Sequence, residues 1–237
     1  MSKNFRRRKS DEKGLFISFE ALDGAGKTTH LRLLEKYLSK DYFVKFYREP
    51  GGTQLGETLR NILKHSKFQE DISINAELFL FMAQRTQNVE KLILPDLSKN
   101  EIVIYDRFSD STFAYQGYGR GISLEKIKSM NDIATTERYP DITFFINASL
   151  DYLISKMEER VSTITFVKDR FESEEVEFHK RIRDGYLDIA KENPERIKTI
   201  QYIEGNEGIN TMQNEIRGYV DNYIQENGLA NKLKRKS

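Results

Sequence analysis

Ala21-Leu-Asp-Gly-Ala-Gly-Lys-Thr28 is the stretch that decides how this chain folds. A short apolar run, 15–20, precedes it, and a segment with helical spacing begins near Thr28. Gly24 and Gly26 tolerate the positive φ that a tight loop needs, so successive N–H groups converge on one point. The helix that follows turns its positive end toward the same point. Strand, glycine loop and helix in this order make an anion site of the Walker A kind. Lys27 is placed to reach the β- and γ-phosphates of a nucleotide, and Thr28 to offer a hydroxyl to Mg²⁺. Ala21, Leu22, Asp23, Gly24, Ala25, Gly26, Lys27, Thr28 and Thr29 are therefore the candidate ATP-binding residues. Ala21 replaces the first glycine of the pattern, and its methyl is the smallest possible intrusion.

Working outward, β-branched and aromatic runs alternate with helix-period stretches. The expected strands are 15–20, 43–47, 102–105, 142–146 and 197–203. They are nearly continuous in apolar residues, as parallel strands covered on both faces are. Helices are expected over 175–191, with Phe178, Ile182, Tyr186 and Ile189 on one stripe, and over 211–226. The alternation predicts an α/β fold of the P-loop NTPase type: an open five-stranded parallel sheet, helices on both faces and a small lid. Ligands in such sheets bind beyond the carboxyl ends of the strands.

The 237 residues suffice for one substantial domain. Cysteine is absent, which excludes disulfides and thiolate metal sites and is compatible with a reducing cytoplasm. No apolar run approaches the length of a membrane span, and the first residues hold no apolar leader core. The net charge of +1 conceals an uneven distribution. Residues 1–13 carry six Lys/Arg against two Asp/Glu, and residues 228–237 carry four Lys/Arg and no acid. The part between is acidic and offers no continuous basic stripe. Both ends read as solvated, mobile basic tails (1–13 and 227–237) around a domain spanning 14–226. Neither a specific nucleic-acid partner nor a membrane is expected, and removing residues 1–12 and 229–237 is expected to leave turnover nearly unchanged.

A glycine loop alone leaves the reaction open among ATPases, switches and kinases. Three further segments favour a kinase. The run 48–57, REPGGTQLGE, follows the second strand and leads to Arg60; Glu49 stands in it. In the helical stretch 77–85, Phe81 and Arg85 are four apart and share a face. The run 106–121, DRFSDSTFAYQGYGRG, follows the third strand. A carboxylate beside an arginine at a strand end, Asp106 and Arg107, suits Mg²⁺ organisation together with bidentate phosphate binding. Arg60, Arg85 and Arg107 make a plausible clamp for an acceptor phosphate. No nucleophile–base pair is evident, and His30, His65 and His179 read as surface or structural.

With RYPDITFF at 138–145 and DRFE at 169–172, these segments closely resemble the thymidylate kinase family, over about residues 14–226. The resemblance implies transfer of the ATP γ-phosphoryl group to dTMP, with Mg²⁺, in a cytoplasmic homodimer. It implies that Phe81 stacks on thymine, that Arg85 binds the base carbonyl edge, and that Thr112 and Gln116 complete base recognition. Tyr115 would lie under the deoxyribose and disfavour a 2′-hydroxyl, and Asp23 would handle the 3′-hydroxyl and align the acceptor. Arg60 and Arg107 would hold the acceptor phosphate, with Glu49 in the same substrate-binding set and Asp106 near the metal. The rivals are another pyrimidine nucleotide kinase of the same fold, or a P-loop ATPase switch or nucleic-acid-binding protein.

Lys27, Asp23 and Arg107 are the catalytic candidates at the sheet, and the lid, about 160–172, should supply one more cation. Ala25 cannot provide it from the loop. Basic residues occur only at the lid's edges: Arg160 ranks first for its planar fork, Lys168 second, and Arg170 third, because Asp169 or Glu172 could hold it.

Overall fold

The computed structural model describes residues 14–65, 68–161 and 169–236, without the side chains of Met157, Arg160 and Val161. Five strands, β1 (Leu15–Ala21), β2 (Val44–Arg48), β3 (Ile102–Asp106), β4 (Ile142–Asn147) and β5 (Ile197–Gln201), form one sheet in the order β2-β3-β1-β4-β5. Every pair is parallel. The expected five strands are all present, with ends shifted by up to two residues.

Because side chains alternate across a strand, β1 feeds two cores. Leu15, Ile17, Phe19 and Ala21 join α1 (Lys27–Leu38) and α9 (Gly205–Glu226) through Leu31, Leu34, Met212, Ile216 and Val220. Phe16 faces the other way, toward Val103, Tyr105, Phe108, Val89, Ile93 and Leu97. A central strand covered on both sides needs no polar face, and all seven residues of β1 are buried. The remaining helices are α2 (Gln54–His65), α3 (Ile74–Asn88), α4 (Leu94–Ser98), α5 (Ser109–Thr112), α6 (Leu124–Thr135), α7 (Leu150–Val161) and α8 (Val176–Glu192). Two π-helical turns, Val89–Ile93 and Phe113–Gly119, continue α3 and α5. The expected helix at 211–226 starts six residues earlier, at Gly205.

Two polar residues of β1 are buried with partners. Ser18 Oγ lies 2.7 Å from Thr143 Oγ1 on β4, directly across the ladder. Glu20 accepts from the Phe108 N–H at 2.8 Å, from Ser111 Oγ at 2.5 Å and from Tyr186 Oη at 2.9 Å. This one carboxylate ties β1, the turn after β3 and α8 together. Burial, then the charge of Asp110, pushes the Glu20 carboxyl up to about 7 from 4.5, against the help of Ser111, Arg107 and the Phe108 N–H.

The C-terminal segment corrects the sequence reading. Residues 227–236 are docked rather than solvated. Leu229 and Leu233 are buried in the main core. Lys234 receives the Phe43 N–H at its carbonyl, 3.0 Å, and donates its own N–H to Asn100 O, 2.8 Å. Arg235 forms an antiparallel bridge with Tyr42, and Lys234 Nζ pairs with Glu101 at 2.9 Å. The basic run masked two leucines four apart, a spacing that puts both on one side of a turn.

Leu233→Ala is therefore expected to lower stability by about 2–5 kcal/mol, the cost of truncating a buried leucine, read as a shift in urea midpoint. Glu20 carries the opposite pH signature to a salt-bridged carboxylate. Between pH 4.5 and about 7 the native state keeps a proton that the unfolded chain releases, so this group's contribution makes stability fall as pH rises. Glu20→Gln is expected to flatten that slope, measured by urea unfolding at several pH values across the window.

Candidate functional site

The carboxyl ends of β1 and β3 lie side by side because Phe19 pairs with Asp106. From β1 the chain enters the loop 22–26, in which Gly24 and Gly26 take φ of 92° and 75°. Gly26 caps α1, so Lys27 is the helix's first residue and its first turn faces the loop. Lys27 Nζ is ion-paired with Asp106 Oδ1. Burial, then repulsion from Arg107, draws the lysine's pKa below its ordinary value, and Asp106 opposes both. Thr28, next in the helix, is exposed.

Arg107 follows β3 with φ of 65°, a left-handed conformation that a non-glycine residue adopts only when its surroundings hold it. Glu20 does so from one side through the next residue's N–H. Asp23 does so from the other, accepting from Nη2 at 2.8 Å. The guanidinium also lies 5.3 Å from the centre of the Tyr115 ring. Burial works against the charge on Asp23, but Arg107, Lys64 and Lys27 outweigh it and hold its carboxyl well below the usual carboxylate range. Lysine, arginine and two carboxylates thus meet at the sheet's edge, each acid facing a base that a phosphate could claim.

Beyond this junction opens a cavity. Asp23, Glu49, Phe81, Arg85, Arg107, Thr112, Tyr115 and Gln116 all line it. The structure thereby brings together eight of the nine expected substrate-side residues. Arg60 is not among the lining residues; its Nη1 donates to Pro50 O at 2.7 Å. Phe81 is half-buried and lines the cavity, its ring centre 6.0 Å from that of Phe171. Tyr115 and Gln116 come from the second π-helical turn, the kind of insertion that often marks functional positions.

Arg85 differs from expectation. It is 1 % exposed, and its five N–H groups meet Glu49 Oε2 (2.9 and 2.7 Å), Thr112 Oγ1 (2.8 Å), Asn131 Oδ1 (2.7 Å) and Phe108 O (3.2 Å). A bond from Arg85 to a ligand carbonyl requires one of these, such as that to Thr112, to be exchanged. Burial pushes the Glu49 carboxyl up, and Arg85 pulls it back.

Five lining residues were missed: Pro50, Lys64, Phe108, Ser111 and Phe171. Lys64 had a signal, since it lies four residues after Arg60 and so on the same face of α2. Its Nζ pairs with Asp169 at 2.6 Å. Phe171 belongs to the DRFE run, whose role was sought in its charges rather than its ring. Of the lid cations, Arg160 falls in the last turn of α7 with its side chain outside the described residues, and Lys168 lies outside them altogether. Arg170 is held, but not by Asp169 or Glu172: its Nη2 lies 2.6 Å from Glu77 and its Nε donates to Leu63 O at 3.0 Å.

The candidate metal residues, Thr28 and Asp106, supply one hydroxyl and one carboxylate. Among the described residues no cluster of three or more His, Cys, Asp or Glu could hold a metal alone. A donor set of this size fits Mg²⁺, which keeps several waters and takes its remaining oxygens from substrate phosphates.

The thymidylate kinase family profile matches residues 19–216. The thymidylate kinase of Caldanaerobacter subterraneus is 46 % identical over 185 residues, 78 % of this chain and 85 % of that one. The Nitrosospira multiformis thymidylate kinase is 47 % identical over 189 residues, 79 % and 89 % of the two chains. The crystal structure of thymidylate kinase from Ehrlichia chaffeensis superimposes with a TM-score of 0.69 at 38 % identity, covering 87 % of this chain and 98 % of that one. On sequence and fold alike, this chain belongs to the thymidylate kinase family.

Proposed function

We propose that this chain transfers the γ-phosphoryl group of ATP to the 5′-phosphate of dTMP, giving dTDP and ADP. The observation that carries the reading is the junction at the ends of β1 and β3. There the phosphate-loop lysine and the acceptor-side arginine stand next to each other, each held by a carboxylate. An oxygen of the dTMP phosphate forms the new bond to the γ-phosphorus as the bond to the β-bridging oxygen of ATP breaks. The acceptor is already anionic, so no strong general base is needed, and positioning and charge neutralisation do most of the catalysis.

Lys27 and the loop N–H groups receive the β- and γ-phosphates, and Arg107 receives the acceptor phosphate in exchange for Asp23. Asp23, freed of that pairing, is left to orient the sugar's 3′-hydroxyl. The base enters against Phe81, with Gln116 and Thr112 at its polar edge and Tyr115 beneath the sugar. Arg60 and Lys64, one turn apart on α2, supply further positive charge toward the acceptor phosphate. Glu49 acts through Arg85, keeping its guanidinium at the cavity wall. Thr28 and Asp106 would hold Mg²⁺, which neutralises phosphate charge and fixes the phosphate oxygens when bound. Arg160 and Lys168 remain the candidates for a cation at the transferring group.

The active form is a homodimer in the cytoplasm, and its association surface is the layer α2–α3–α6, whose members pack side by side. Leu55 on α2, Phe79 on α3 and Ile133 on α6 are 46, 61 and 78 % exposed, with Phe68 and Ile74 nearby in the chain. Large apolar side chains exposed on three adjacent helices suit a second copy of the same face. No described helix is long and apolar enough to cross a membrane.

A coupled assay of ADP release tests the reading. Release should depend on dTMP and vanish in a folded Lys27→Ala variant. dTMP should be preferred over dUMP by about 10–200-fold, the range one methyl in an apolar pocket supplies. Release that is independent of dTMP would overturn it. Separately, Phe79→Glu should convert a dimer to a monomer in sedimentation velocity, with the thermal transition of the subunit retained. Dimers of undiminished affinity would move the interface elsewhere.

A further inference from the structure

The groups that line the cavity are themselves held in place, and one holder bears on which base the cavity accepts. Glu77 lies on α3 one turn before Phe81 and two before Arg85, so all three share a stripe of the helix. Its side chain is 1 % exposed. Arg170 Nη2 lies 2.6 Å from one carboxylate oxygen, and Arg120 Nη2 lies 3.4 Å from the same oxygen. The other oxygen, Oε1, accepts from Gln116 Nε2 at 2.7 Å.

A carboxylate ion-paired to two guanidinium groups has no proton to give and only accepts. Facing it, an amide has one orientation available: nitrogen toward Glu77, carbonyl oxygen away. Gln116 lines the cavity alongside Phe81 and Thr112. With its nitrogen committed to Glu77, it presents the acceptor Oε1 to whatever enters. Thymine and uracil carry an imide N–H at ring position 3, a donor that suits this acceptor. Cytosine carries a lone pair there, so two acceptors would face each other, one left without a partner in a dry site.

We propose that Glu77 is a positioning residue for base selection: by fixing the amide of Gln116, it makes the cavity favour an imide-bearing pyrimidine over cytosine. The inference rests on the cavity being the dTMP site. Glu77 touches no substrate and acts only through Gln116. The same contacts anchor Arg170 at the edge of the lid, so a purely structural role is the alternative to be separated.

Glu77→Gln separates them. Glutamine keeps the shape but offers both an acceptor and a donor, so the amide at 116 is free to turn over. kcat/KM is measured for dTMP, dUMP and dCMP, with thermal melts to establish folding. The expected result is a fall of at least tenfold in the dTMP:dCMP ratio. The dTMP:dUMP ratio should stay within about twofold, because both bases carry the imide; general loosening of the pocket would erode methyl discrimination as well. KM for ATP should be unaffected. Gln116→Met, which removes the amide without touching the ion pairs, should lower the dTMP:dCMP ratio in the same way. Glu77→Gln added to it should lower the ratio no further. If Glu77→Gln does not fold, an unchanged ratio in Gln116→Met overturns the proposal by itself. A retained ratio in folded Glu77→Gln makes Glu77 an anchor for Arg170 only, and leaves the dTMP reading standing. Failure of the wild-type protein to use dTMP would remove that reading and this inference together.

Discussion

The parallel pairing of β1 with β3, in the register that sets Phe19 beside Asp106, is the constraint from which the site follows. It places two strand ends together, one leading into the glycine loop and the other into the Asp106-Arg107 turn. Each end delivers an acid and a base: Asp23 and Lys27 from β1, Asp106 and Arg107 from β3. They pair across the strands rather than within them, Lys27 with Asp106 and Arg107 with Asp23. A one-residue slip would turn every side chain of β1 to the opposite face, undoing both cores as well as the junction. Apolar packing on both faces of β1 therefore enforces the register on which the charges depend.

Around the junction the protein buries charge more densely than stability alone would favour. The pairs Arg85–Glu49 and Arg196–Asp110 lie deep in the fold, as does the Glu77 carboxylate, whose two arginine partners are partly exposed. Replacing such groups by apolar ones is often neutral or stabilising. Their use here lies in direction. Glu20 orients the Phe108 N–H and so the turn that carries Arg107; Glu77 orients Gln116; Glu49 orients Arg85. Arg85, Gln116 and the turn at Phe108, all at the cavity wall, take their geometry from carboxylates that hold them. Glu20 and Glu77 are in turn each held by three residues from different parts of the chain, which rigidifies the cavity wall.

The fold was legible in the sequence because its signals are local. Apolar runs 15–20 and 102–105, the glycines at 24 and 26 and the stripe Phe178–Ile182–Tyr186–Ile189 each state their conformation within a few residues. The residues that line the cavity were legible for a different reason: the runs around Arg48, Glu77 and Asp106 resemble one family closely enough to be read as a set. Lys64 and Phe171 were missed because each owes its place to a contact across the fold: Lys64 with Asp169, Phe171 with Phe81. The docked C-terminus was misread because its basic residues dominate its composition, while two leucines decide its position.

What the sequence determined by itself was the order of strands and helices, the phosphate loop and the types of residue at the sheet's carboxyl edge. Those follow from backbone sterics and side-chain periodicity, which act over a turn of helix or a strand. The tertiary structure alone decided which acid faces which base. It committed all five N–H groups of Arg85 to the protein, set Arg107 in a left-handed conformation and turned the amide of Gln116. These depend on groups tens of residues apart, brought within hydrogen-bonding distance only when the sheet closes its register and α3 and α8 pack against it.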